Sequence, residues 1–470
     1  METQKQKPSF LIAVMPILVM LAGLAIGVGY MKLRVEPIIL LSALVAGFLA
    51  YKLGYSYKEM QKGMIDKISD SMPALMILWS VGLIIGAWMF SGTIPMIIYY
   101  GVQIISPSYL VITAFLISAI LSTVTGTSWG SAGTVGVAIM GISQGLGVDL
   151  AVTAGAVVAG AYFGDKISPL SDTTNLAPIA AGSELYEHIK HMFYTTVPAA
   201  IVALIVYSTF GSGATSGGDI SASVLALQTE LDKVFNFNIL LLLPVLIVIA
   251  GSVLKWPTIP VMIVAAMLAI AFGVIFQDFS LKDGFTSVIK GFNLSMSGID
   301  VSFSKDIMRL LNRGGVDSVN ATTILVICAM GFAGIMSITG MLEVVLHTLM
   351  AGVKSVFGVI FSTICSCLTV AFVTGSSYLS ILIPGEMFKD FYKEKNLAAK
   401  NLSRTLEYSG TVIVPLIPWS AAGAYMATTL GVPTIEYLPW AVLNYMGVVF
   451  AIILALTGIG ITKLATKKES

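Results

Sequence analysis

Gly164-Asp-Lys-Ile-Ser-Pro-Leu-Ser-Asp-Thr-Thr-Asn175 places two aspartates, a lysine, a proline, four hydroxyls and an asparagine directly after an apolar stretch, Leu150 to Phe163. In hydrocarbon, unsatisfied backbone groups and charged side chains each cost roughly several kcal/mol. A chain that places such a run in an apolar segment therefore has a use for it. Polar, proline-interrupted breaks in hydrophobic segments are where membrane transporters build ion and substrate sites.

The rest of the chain agrees with a membrane setting. Of 470 residues, 56% are hydrophobic and 11% charged, and the mean hydropathy is +0.91. A soluble domain carries about 25% charged residues, so the composition reads as an all-α polytopic membrane protein. The formal net charge of +1 argues against a nucleic-acid partner. Cys328, Cys365 and Cys367 lie in apolar segments and read as buried thiols rather than a disulfide framework. The polar start, Met1 to Pro8, has no small-residue cleavage site, so the first apolar stretch reads as a retained span.

Apolar runs long enough to cross or nearly cross a bilayer fall at 10–30, 36–54, 73–92, 108–124, 150–163, 193–210, 238–254, 258–276, 320–338, 359–373, 406–430 and 437–461. The largest polar interruptions are 211–237, rich in Gly and Ser and then acidic, and 277–318.

The two halves resemble each other. Thr125-Gly126-Thr-Ser-Trp-Gly130 matches Thr374-Gly-Ser-Ser-Tyr378, Gly164-x-x-Ile-x-Pro-Leu170 matches Gly410-x-x-Ile-x-Pro-Leu416, and Ser91-Gly-Thr-Ile matches Thr339-Gly-Met-Leu. Three matches in the same order at near-equal spacing indicate an internal repeat. The expected division is a first repeat over 1–210, an extracellular linker over 211–237 and a second repeat over 238–470. Each repeat then has about five transmembrane helices plus a re-entrant hairpin and a broken helix. An odd number of crossings inverts the second repeat. With both termini in the cytoplasm, the cytoplasmic segments hold about twice as many Lys and Arg residues as the outside ones, as the positive-inside rule requires. The hairpins, 108–142 and 359–388, then approach the midplane from opposite faces. Irregular backbone at that depth is tolerated only beside a polar cavity.

Pro169 and Pro415 break their helices near mid-span, freeing carbonyls and leaving half-helix N-termini toward the site. Carbonyls and hydroxyls are hard oxygen ligands suited to an alkali cation. The candidate cation ligands are Ser168, Ser171, Asp172, Thr173 and Thr411, with Thr174, Asn175, Thr125, Thr127, Ser128, Thr374, Ser376, Ser377 and Ser420 nearby in the motifs. The second break is less polar, which places the strong cation site in the first half. A carboxylate in low dielectric can hold either a proton or a sodium ion. Asp172 is the first candidate for that carrier and Asp165 the second. Lys166 reads either as Asp165's ion-pair partner or as the contact for a carboxylate substrate. Glu407 reads either as a further proton carrier or as Arg404's partner at the membrane edge. Trp129, Tyr378 and Trp419 flank the motifs and are candidate substrate-contacting walls, with packing as the alternative. His188, His191 and His347 read as peripheral. The first two are expected to be solvated in a polar loop, with pH sensing as the alternative.

No phosphate-binding loop of the G-x-x-x-x-G-K-[ST] type occurs, which argues against ATP-driven transport. No nucleophile triad or His-rich metal set lies inside the spans, which argues against an intramembrane hydrolase. A channel needs a continuous polar path in one state, whereas paired breaks suit a site gated on each side.

The run Thr125-Gly-Thr-Ser-Trp-Gly-Ser-Ala-Gly-Thr134 and the run Gly164 to Pro178, with Glu407-Tyr-Ser-Gly410 and Pro415-Leu-Ile-Pro-Trp419, resemble the NhaC family of bacterial sodium/proton antiporters. The family includes malate/lactate exchangers. More distantly, the plan is similar to the ion-transporter superfamily, whose paired tips and broken helices surround sodium and a carboxylate and whose members often work as dimeric elevators. The resemblance implies sodium and protons as cargo, malate or lactate as an alternative co-substrate, no cofactor, a homodimer and the bacterial cytoplasmic membrane. It points to Thr127, Ser128, Asp165, Ser168, Ser171, Asp172, Thr173, Asn175, Ser376, Ser377 and Thr411 as binding residues.

Overall fold

The computed structural model describes residues 5–31, 33–211, 220–299, 303–351 and 353–464. Lys32, Lys467 and Lys468 of the charge count, Asp300, and residues 212–219 of the expected linker lie outside the described residues. The first half contains α1 (Phe10–Gly23), α2 (Val35–Lys52), α3 (Tyr57–Ser91), α4 (Thr93–Ile104), α5 (Pro107–Thr125), α6 (Ser128–Ser131), α7 (Val137–Gly145), α8 (Leu150–Ile167), α9 (Asp172–Ala181) and α10 (Leu185–Gly211). Next come α11 (Ile220–Val234), α12 (Leu243–Val253), α13 (Thr258–Gln277), α14 (Leu281–Lys290), α15 (Lys305–Leu311), α16 (Asn320–Ile338) and α17 (Met341–Met350). The chain ends in α18 (Val356–Thr374), α19 (Ser377–Glu394), α20 (Ala399–Glu407), α21 (Ala421–Leu430), α22 (Thr434–Tyr437) and α23 (Val442–Thr457). Among the described residues nine helices are long and apolar enough to cross a membrane, or up to 12 if each bent pair is one span. The protein is an all-α polytopic membrane protein.

The glycines that pair the halves in sequence have physical roles. Gly92, Gly126, Gly340 and Gly375 all adopt positive φ, at 84°, 69°, 70° and 60°. Each ends one helix and starts the turn into the next, a conformation that costs glycine no Cβ clash. Gly164 and Gly410 lie inside helical segments instead. A Cβ on Gly164 would run into the Ala119 carbonyl of α5, and one on Gly410 would lie 2.7 Å from the Ser380 carbonyl of α19. Small residues there let backbones approach closely, and the Ser122 hydroxyl of α5 donates to the Ala161 carbonyl of α8 at 2.6 Å.

Three local expectations change. The span expected from residue 73 belongs to a 35-residue helix starting at Tyr57, where Ser56 and Glu59 form a capping box. The second part of the 211–237 linker is α11, with Gln228 donating to the Tyr99 carbonyl at 3.2 Å and Asp232 accepting from the Tyr99 hydroxyl at 3.2 Å. Residues 277–318 are not an open loop. They form α14, α15 and two short 3-10 turns, and Gly315 N–H donates to the Gly82 carbonyl of α3 at 2.7 Å. Phe90, Phe279 and Phe292 cluster beneath them.

Candidate ion-binding site

Two helical hairpins and two helix breaks meet at one cavity of about 460 Å³. The first hairpin turns at Gly126 and contributes Thr127, Ser128 and Trp129. The second turns at Gly375 and contributes Ser376, Ser377 and Tyr378. Asp165 arrives from the end of α8, Asp172 and Thr173 from the start of α9, and Thr411 from the segment before the second break. Hydroxyls cap the helix starts here. Thr127 accepts from Gly130 N–H, Ser171 from Thr174 N–H, Ser376 from Leu379 N–H and Ser420 from Gly423 N–H.

Against one wall of this cavity lies a buried charge centre. Lys166 has no exposed side-chain surface. Its Nζ lies 3.2 Å from Asp165 Oδ2 and 2.6 Å from Glu407 Oε1, and donates to Thr173 Oγ1 at 2.5 Å. Asp165 is 4% exposed and also accepts from the Ser128 hydroxyl at 3.2 Å. An ammonium has three donors, and this one has three oxygen acceptors. With both carboxylates ionised, the centre carries a net charge of −1 in a low-dielectric interior. Such a centre needs one more positive charge, because an uncompensated buried charge costs several kcal/mol, roughly. Among the described residues, Asp165 Oδ1, Glu407 Oε2 and Thr411 Oγ1 are buried without a hydrogen-bond partner. Two of these residues, Asp165 and Thr411, line the cavity.

Asp172 is an exposed carboxylate at the cavity. Its Oδ1 accepts from Thr173 N–H at 2.8 Å, and its Oδ2 accepts from the Tyr378 hydroxyl of the opposite hairpin.

The model of the Na+/H+ antiporter family matches residues 160–459, which contain both breaks and the charge centre. The chain belongs to the Na+/H+ antiporter family. The antiporter is 52% identical to an uncharacterised Na(+)/H(+) antiporter of Haemophilus influenzae, over 97% of this chain and 98% of that protein. It is 39% identical to the Na(+)/H(+) antiporter NhaC of Alkalihalophilus pseudofirmus, over 93% and 94% of the two chains. It is 35% identical to a malate-2H(+)/Na(+)-lactate antiporter of Bacillus subtilis, over 91% and 90%. The NhaC resemblance read from the two motif runs agrees with these relatives.

In this antiporter the structure brings Thr127, Ser128, Trp129, Asp165, Asp172, Thr173, Ser376, Ser377, Tyr378 and Thr411 to the cavity. Lys166 makes the expected pair with Asp165 and adds Glu407 from the second half. The alternative pairing of Glu407 with Arg404 is not formed. Arg404 instead donates to the Gly460 carbonyl at 3.2 Å and lies over the Tyr194 ring. Four candidates serve the backbone rather than the cavity. Ser168 accepts from Leu170 N–H, Ser171 caps α9, and Asn175 donates to the Pro169 and Ser171 carbonyls at 2.9 and 2.6 Å. Trp419 is buried, donates to the Phe372 carbonyl at 2.8 Å and packs edge-on against Phe372. The break carbonyls are also less free than expected. Asn175 and Thr174 take those of Pro169 and Asp165. Tyr437, Ser420 and Asn444 take those of Pro415, Val414 and Val412. The oxygens left over for a cation are therefore mainly on side chains.

His188 and His191 are not solvated. They are 0% and 4% exposed on α10, because α10 begins at Leu185 and packs its first turns on α20. Sequence reading also missed Asp70, Ser71 and Tyr162, which line the cavity. The capping box at Ser56 was the signal for the first two, since it extends α3 back through them. Tyr162 precedes Asp165 by about one helical turn, at a spacing that shares its face.

Proposed function

We propose that this protein exchanges sodium for protons at the Asp165–Lys166–Glu407 centre. The observation that carries this reading is the charge count: two buried carboxylates share one lysine. One further cation balances the centre. Sodium at Asp165, with Thr411 and the tip hydroxyls as oxygen ligands, competes with a proton on Asp165 or Glu407. Competition for one charge vacancy couples the two cargoes without a further device. The order of the aspartates is thereby reversed from the sequence expectation. Asp165 is the carrier, and Asp172, exposed and held by Tyr378, is the carboxylate that meets the ion first. Alternating access moves the hairpins and broken helices of both halves, related by inversion, past a scaffold of outer spans in a homodimer. Both termini face the cytoplasm of a bacterium.

A second reading is supported by a separate observation. The starts of α6, α9, α19 and α21 all line this cavity, and helix N-termini favour negative charge. They stabilise Asp165 and Asp172, and equally the carboxylate of a malate- or lactate-like co-substrate.

The test is reconstitution in liposomes with an internal pH dye, adding sodium, lithium, potassium, malate or lactate in turn. Sodium alone drives proton movement in the antiport reading. The sodium concentration for half-maximal rate rises as pH falls, approaching about tenfold per pH unit where one proton is displaced per ion. Proton movement that requires malate or lactate supports the second reading. No sodium-driven proton movement under any of these conditions overturns both.

A further inference from the structure

Glu407 poses a problem of access. Its side chain has no exposed surface, and it does not line the cavity. A proton that binds there needs a route of its own.

α10 supplies titratable groups at that position. His188 is 0% exposed, and its Nδ1 lies 2.9 Å from the Ser403 hydroxyl of α20. Ser403 lies four residues before Glu407, so both are on one face of α20, one turn apart, about 5–6 Å between Cβ atoms. His191 follows His188 by three residues on the same face of α10 and is 4% exposed. It stands edge-on to Tyr194, with ring centroids 5.5 Å apart. Among the described residues, His188 Nε2, both ring nitrogens of His191 and Glu407 Oε2 are buried without a hydrogen-bond partner. Buried polar atoms are nearly always paired. Three of these unpaired atoms are ring nitrogens of α10 and one is a carboxylate oxygen of α20, and each can hold a proton. The charged groups that face the pair are Lys166 at His188 and Lys400 and Arg404 of α20 at His191, with Glu187 of α10 3.7 Å from Lys400.

We propose that His188 and His191 relay the proton between Glu407 and the protein surface at the start of α10, a proposal that rests on Glu407 being a proton site of the antiporter. The Glu407 O–H bond breaks and an N–H bond forms on His188, with one water spanning the gap. The imidazolium passes one proton to His191, which releases one proton to water at the surface. Each step moves a single proton, and each ring returns to neutral. Sodium and protons would then reach the charge centre by different routes, sodium through the cavity and protons along α10.

The experiment compares two exchange modes in the same proteoliposomes. Sodium-driven proton movement requires the relay, whereas sodium-for-sodium tracer exchange at equal pH does not. In His188→Gln, proton movement falls by about tenfold or more, while tracer exchange stays within about twofold of wild type. His191→Gln shows the same split, and supplies the test if the first variant does not fold. An equal fall in both modes means that the histidines act structurally, and overturns the relay. Unchanged proton movement in both folded variants overturns it as well. Absence of sodium-driven proton movement in wild type overturns the antiport reading, and the relay with it.

Discussion

Lys166 is the residue on which the site's charge balance depends. Its three oxygen partners leave it no spare donor, and two of them are carboxylates from different halves of the chain. Lys166→Met leaves both carboxylates buried without their cation, which costs about 3–5 kcal/mol. The expected result is a large fall in the melting temperature of the solubilised protein and no exchange. Lys166→Met/Glu407→Gln removes one of those negative charges and recovers much of the stability without recovering exchange. If the double variant melts as low as the single one, the ion-pair account is wrong. The two aspartates are separated by burial. Asp165→Asn removes the buried ligand and abolishes sodium-dependent exchange. Asp172→Asn raises the sodium concentration for half-maximal rate by about tenfold and keeps much of the maximal rate, since an exposed carboxylate contributes chiefly to ion capture. Flux measurements across a sodium titration separate these outcomes. Composition made both aspartates and the lysine legible as a site. Their difference in burial was not legible, because it is set by how α8 closes against α5 and α6, and α9 against α19 and α20. The partner of Glu407 was equally hidden, since Arg404 is near in sequence and Lys166 is near only in space.

At the scale of elements, the breaks and turns were readable because they rest on local chemistry. Proline cannot continue a helix through its own position, and glycine takes positive φ without a clash. Gly126 and Gly164 separate two consequences of that chemistry. Gly126 is held at φ 69°, and a Cβ there would lie 2.6 Å from Leu170 Cβ and 2.7 Å from its carbonyl carbon. Gly126→Ala is therefore expected to destabilise by more than about 1 kcal/mol and to shift the hairpin tip off the first break. Gly164→Ala is strained in packing, not in backbone, because it forces α8 off α5. Its expected signature is a lower melting temperature, with the residual activity showing an unchanged sodium dependence, while Gly126→Ala changes the sodium dependence itself. A thermal melt and a sodium titration on both variants check the distinction. What resisted reading was the 277–318 segment. Its composition resembles that of a loop, and the contacts of Gly314, Gly315, Phe279 and Phe292 with α3 reveal that it is packed.

Across the whole molecule, the halves are joined at the site rather than merely connected in sequence. Lys166 meets Glu407, Asp172 meets Tyr378, and the Tyr425 hydroxyl donates to the Trp129 carbonyl at 2.7 Å with the two rings stacked 4.3 Å apart. Each half lacks part of the charge balance that the other supplies. Helices α5 and α18 both end at glycine turns beside this shared cavity. If the halves are inverted, their hairpins enter the membrane from opposite faces, and the starts of α5 and α18 lie on opposite sides. Ser106 and Lys354 mark those starts, and both are exposed. Cysteine at each position, in a chain whose Cys328, Cys365 and Cys367 are replaced by serine, provides the test. With an impermeant maleimide on intact cells, Ser106→Cys is labelled and Lys354→Cys is protected until the membrane is opened. Labelling of both from the same side overturns the inversion, and with it the hairpin geometry on which the proposed alternating access depends. Labelling of Lys354→Cys alone keeps the inversion and reverses the orientation that the Lys and Arg bias predicts.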